Sequence, residues 1–275
     1  LRRGVGGDGA DWPEQWGKQE DLRAVLIERN GFSEEDADAF MESLEQALRG
    51  ERTMLRPRPR KKERSVTTHI LFIMDASGSM AHLANDVRGG FNEFVTRARI
   101  EEKDIRVTVT TFNTNAIVQL YKNVPVANDV LALTPDNYRP DAYTPLWDAV
   151  GKTLAAFRAE TILHQGDKII VQIETDGLEN ASKEYSAQSL RPVIKELQAA
   201  GWAFVFAGTG LDNWRDAHDS GLGGVSTSNA PSGLGTRARY RGTYAATVDF
   251  MEQELPPEKF SDRVQTVIDE AGGNE

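Results

Sequence analysis

The sequence predicts an α/β protein: a doubly wound, mostly parallel sheet with helices on both faces, one antiparallel edge strand and a small helical segment in front. Three observations carry this. From His69 onward, short continuous apolar runs alternate with longer stretches of helical period, the βαβ rhythm of a sheet buried on both faces. Two strand-like runs, IRVTVTTF and AIVQLY, are separated only by Asn113, Thr114 and Asn115. That gap is too short for a crossover, so the two must be antiparallel. Ahead of Ser65, the chain has no strand pattern, only two short amphipathic stretches and a basic run.

In order, QEDLRAVLIERNGF and SEEDADAFMESLEQALRG read as two short helices. Ser33 with Asp36 matches a capping box, and Phe40, Leu44 and Leu48 recur every four residues. RTMLRPRPRKKERS follows, with seven Arg or Lys between residues 52 and 64 and two prolines, which reads as a solvated linker that can also serve as a basic arm. HILFIMD is a strand. AHLANDVRGGFNEFVTRARI is a helix with Leu83, Val87, Phe91, Phe94 and Val95 on one face. PLWDAVGKTLAAFRA is a helix opened by Pro145, KIIVQIETD a strand, and SAQSLRPVIKELQAAG a helix broken near Pro192. WAFVFAG is a strand, followed by a short helix around Leu211 to His218, an edge strand at GVSTS and a last helix at YAATVDFMEQEL. The expected division is therefore residues 1–51 as a helical appendage, 52–67 as a linker, 68–254 as the main domain and 255–275 as a tail or short helix.

Composition narrows the function. A net charge of -10 argues against nucleic acid as a partner bound over the whole surface. The absence of cysteine excludes disulfides, thiol catalysis and Cys–zinc sites. No apolar run is long enough to cross a membrane, and LRRGVGGDGADW lacks the apolar stretch of a signal peptide. The expected location is the cytoplasm or an intracellular assembly, a virion included.

The chemistry gathers at strand ends. FIMDASGSM places Asp75, Ser77 and Ser79 at the carboxyl end of the first strand, where open α/β sheets keep their sites. A turn with an N-cap needs one such oxygen, not three. A second strand ends at Asp176 and Gly177, and Thr144 immediately precedes the Pro145 helix. Helix N-termini alone would favour an anion, but two aspartates repel one. An all-oxygen set without His or Cys points to a hard cation, Mg²⁺ or Mn²⁺.

DASGSM, the threonine loop and the second strand's TDG together resemble the metal-ion-dependent adhesion site of von Willebrand factor A domains, of a bacterial or phage type. Asp75, Ser77 and Ser79 match that family's Asp-x-Ser-x-Ser, Thr144 its distant threonine and Asp176 its distant aspartate. The chain departs from the pattern in having Ala142 and Tyr143 where a glycine pair is common, with Asp141 as an added charge nearby. The resemblance implies a Rossmann-like fold over residues 68 to about 254. It also implies that Ser77, Ser79 and Thr144 supply neutral hydroxyls while the aspartates act largely through water. The ion would then take its last ligand from the Asp or Glu of a protein partner, with Tyr143 and His82 setting specificity around the contact. The resemblance thus implies a binding module and not an enzyme. A phosphatase built on a strand-end aspartate needs a second acid where Ser77 stands, and a serine hydrolase needs a Gly-x-Ser-x-Gly turn that is missing. The alternative is a structural or assembly component, self-associating or part of a larger particle, that docks through its N-terminal arm and keeps the metal as a static fastener.

Overall fold

The computed structural model describes residues 19–28, 34–48, 66–127, 132–176, 179–208, 224–226, 233–252 and 255–272. The chain divides into two compact units, residues 1–65 and 66–275. In the first, helices α1 (Gln19–Glu28) and α2 (Glu34–Leu48) pack through Leu26, Ala37 and Met41, with Leu22, Ile27 and Phe40 around them. Arg23 Nε donates to Asp38 Oδ1 at 2.6 Å across the pair. The capping box at Ser33 and the basic run at 52–64 lie outside the described residues.

The second unit holds the sheet. Its strands are β1 (Thr68–Asp75), β2 (Ile105–Phe112), β3 (Ile117–Pro125), β4 (Lys168–Thr175), β5 (Ala203–Gly208) and β6 (Gly224–Ser226), in the order β3-β2-β1-β4-β5-β6. All neighbours are parallel except β2 and β3. Every residue of β1 is buried, as a central strand covered on both faces requires. Odd and even positions of the strands feed different layers. Ile70, Phe72 and Met74 face helices α3 (Ala84–Ile100), α6 (Gly233–Met251) and α7 (Phe260–Gly272). Leu71 and Ile73 face α4 (Leu146–Glu160) and α5 (Ala187–Ala199). Strand order reverses direction between β1 and β4, the point where doubly wound sheets open a crevice beyond the carboxyl ends.

Three elements differ from the sequence expectation. The α-helix after β1 does not begin at Ala81: a 3₁₀ segment, Gly78–Leu83, comes first and α3 starts at Ala84. Its three-residue period buries Met80 and Leu83 together and leaves Ser79 and His82 on the outside. Helix α5 runs unbroken through Pro192, held by buried Leu190, Ile194 and Leu197 and by a Ser186–Ser189 capping box. The missing N–H costs only the bond to the Gln188 carbonyl. The YAATVDFMEQEL helix starts earlier, at Gly233, and of the two alternatives for residues 255–275 the short helix is found, as α7, with Phe260 and Val264 in the core. The helix expected around Leu211 to His218 lies outside the described residues, and GVS forms the edge strand β6.

Candidate metal centre

Asp75 ends β1 fully buried. Its Oδ1 accepts from the Ser77 amide at 2.7 Å and its Oδ2 from the Thr175 hydroxyl at 2.6 Å, so the carboxylate ties its own turn to the end of β4. Burial pushes the Asp75 carboxyl up to about 6 against those two hydrogen bonds, and repulsion from Asp176 adds to the rise. Tyr138 donates its hydroxyl to the Asp75 carbonyl at 2.5 Å and holds the strand end from below.

Ser77, Ser79 and Asp176 form a chain of oxygens. Ser79 Oγ donates to Asp176 Oδ1 at 2.6 Å, and the two serine oxygens lie 3.1 Å apart. A hydroxyl has one proton, and that of Ser79 is committed to Asp176. Ser77 is therefore the donor in the serine pair.

The loop before α4 closes over this turn. Gly78 N donates to the Ala142 carbonyl at 3.0 Å, and Asp141 N to the Ala76 carbonyl at 2.9 Å. Ala142 adopts a left-handed backbone, φ 62°, the conformation that glycine takes without a Cβ penalty. The Asp141 carboxylate stays local, bonded to Ala142 N and to Asn115 Nδ2. Thr144 is 2% exposed and sits beside Asn180, whose Oδ1 accepts from Thr144 N at 2.9 Å. Tyr143 points outward, 67% exposed. His82 stands nearer to the centre than a rim residue. Its Nδ1 is 2.7 Å from the Ser79 carbonyl and 3.9 Å from Asp176 Oδ2.

The helix N-terminus of α4 is not open to an anion. At α4 the Trp147 and Asp148 amides already donate to Glu179 Oε2 and Ser182 Oγ, both at 3.1 Å. Among the described residues no group of three or more His, Asp or Glu side chains is placed to hold a metal ion. A cation at this edge would depend on hydroxyls as well as on the two aspartates, an all-oxygen set that suits a hard ion. Thr175, Tyr138, Asn180 and Glu179 were not singled out from the sequence. Only Asn180 and Glu179, in the polar run directly after TDG, carried any sign of their role.

Residues 69–236 match the model of the von Willebrand factor type A domain, more than half of the chain. The chain belongs to this family. The type A model stops inside α6, whereas the packed unit continues through α7. Two structures of the pilus adhesin SpaC from Lactobacillus rhamnosus GG are similar, with TM-scores of 0.51 and 0.52 at 13% and 12% identity, each covering 69% of this chain and 31% of that one. Proximal thread matrix protein 1 from the mussel byssus matches with a TM-score of 0.44 at 14% identity, over 75% of this chain and 48% of that one. This chain thus spans less than half the length of either protein, and the likeness to SpaC is one of fold. A search of the curated proteins finds no match.

Proposed function

We propose that this type A domain is a metal-dependent protein-binding module: Ser77, Ser79 and Thr144 hold a Mg²⁺ or Mn²⁺ ion with Asp75 and Asp176 behind them, and a partner presents an Asp or Glu to it. The observation that carries the reading is the Ser77–Ser79–Asp176 oxygen chain at the β1/β4 crevice, with Asp75 turned inward beneath it. Each hydroxyl can turn its lone pairs to an ion while Asp176 and Asp75 supply charge from behind. When bound, the ion offers a coordination position to an incoming carboxylate. Tyr143 and His82, both exposed beside the crevice, are placed to touch the partner around that contact.

The same geometry speaks against hydrolysis. The Ser79 proton goes to Asp176, a ligand candidate, and His82 Nδ1 meets the Ser79 carbonyl instead of its hydroxyl, so neither crevice serine is paired with a histidine base. SpaC, which shares the fold, is a pilus adhesin, and a role in protein contact fits that company. A peptide array carrying Asp, Glu and their amides, probed in Mg²⁺ and in EDTA, tests the proposal. Binding should be confined to acidic peptides, need Mg²⁺ and vanish for Ser77→Ala. Binding that persists in EDTA would favour assembly through the N-terminal arm.

A further inference from the structure

The loop that follows β4 is laced to the loop that precedes α4 by more hydrogen bonds than chain connection requires. Thr144 and Asn180 exchange two of them: Thr144 N donates to Asn180 Oδ1 at 2.9 Å, and Asn180 N donates to the Thr144 carbonyl at 3.2 Å. Further along, Glu179 accepts from Trp147 N, and Ser182 Oγ accepts from Asp148 N. In return the Asp148 carboxylate accepts from the amides of residues 183, 184 and 185 at 2.8–2.9 Å. The Tyr185 ring lies against Gly151, where an added Cβ would sit 2.5 Å from it. The two segments therefore move as one piece.

Asp176 lies four residues before Asn180, and Thr144 is its bonded partner. We infer that Asn180 is a positioning residue: by clamping the Thr144 backbone, it holds Thr144 in place at the metal site before any ion arrives. The inference rests on the metal reading above. Preset ligands spare the ion the cost of ordering them, and groups that orient metal ligands typically contribute 10–100-fold to affinity. The side-chain bond of the clamp uses one acceptor atom, Oδ1, which gives the test its form. Asn180→Ala and Asn180→Ser remove or retract that acceptor, whereas Asn180→Asp keeps it in place. Asn180 is exposed, so truncation leaves no cavity and both variants should fold.

Mg²⁺ affinity of the full chain, measured by titration calorimetry, should fall about tenfold in Asn180→Ala and Asn180→Ser and return to the wild-type value or tighter in Asn180→Asp. Melting in EDTA should change little across the set, which separates ligand positioning from plain loop stabilisation. Should Asn180→Ala bind Mg²⁺ like the wild type while Ser77→Ala loses it, the clamp is wrong and the metal site stands. Should Asn180→Asp be as weak as Asn180→Ala, the acceptor is not what matters and the inference also fails. A wild type that does not bind Mg²⁺ removes the metal reading itself, and the clamp with it.

Discussion

Glu174, the next-to-last residue of β4, is 1% exposed and faces Arg239 of α6, itself 4% exposed, at 3.3 Å. Tyr240 donates its hydroxyl to the other carboxylate oxygen at 2.5 Å, and the Arg239 guanidinium also donates to Thr236 at 2.8 Å. Arg239→Met would remove the guanidinium and leave a buried carboxylate with one hydroxyl donor. Removing one partner of a buried pair costs about 3–5 kcal/mol, because the remaining charge has lost its compensation. In a unit of this size each kcal/mol shifts the melting temperature by about 2–4 °C, so the fall should be near 10 °C. Glu174→Met should cost a comparable amount. The double variant, with two apolar side chains of similar volume, should recover most of the loss. Thermal unfolding followed by circular dichroism in the wild type, both single variants and the double variant measures this. Single losses within about 0.5 kcal/mol of the wild type, the scale of a surface substitution, would refute the reasoning. So would losses that simply add in the double variant.

Burial pushes the Asp148 carboxyl up, but the amides of Lys183, Tyr185 and Glu184 and the charge of Lys152 outweigh it and hold the group below its ordinary 3.8. A depressed folded value means stability present above 3.8 and lost as pH falls through the folded value. Asp148→Asn should therefore cost about 3 kcal/mol at neutral pH in urea unfolding, with the gap to wild type closing below pH 4. On α3, a Cβ at Gly90 would lie 2.3 Å from the Tyr240 ring, whose hydroxyl is anchored on Glu174. Gly90→Ala should lower stability by about 2 kcal/mol in the same assay despite the gain in helix propensity. Deleting residues 1–65, which form a separate compact unit, should leave the melting of the remainder within a few degrees of the full chain, as calorimetry of the two chains would record.

The sheet was legible because its strands are apolar on both faces. Continuous runs such as HILFIMD and KIIVQIETD state that both sides are covered, and the three-residue gap at Asn113 decided the antiparallel pair. Helix α6 was read as starting at Tyr244 and not at Gly233 for a physical reason. The side it buries carries Thr236, Arg239, Tyr240, Thr243 and Thr247, so no apolar stripe marks its first turns. Pro192 misled in the opposite direction, since tertiary burial of Leu190 and Ile194 outweighs one lost backbone bond. At the crevice, Asp75, Ser77 and Ser79 could be found because three oxygens exceed what a turn needs. Thr175 and Tyr138 could not, since a strand-end threonine and a loop tyrosine look like ordinary sheet and core residues until their hydroxyls are seen on Asp75.

Binding of Mn²⁺ to the full chain, followed by electron paramagnetic resonance with Mg²⁺ as competitor, tests the metal centre most directly. The account predicts one site per chain, displaced by Mg²⁺, weakened by at least tenfold in Ser79→Ala and Thr144→Ala and unaffected by Lys122→Ala, whose ammonium pairs with Glu160 at the other end of α4. No bound Mn²⁺ in the wild type, or equal binding in the wild type and both hydroxyl variants, would contradict it.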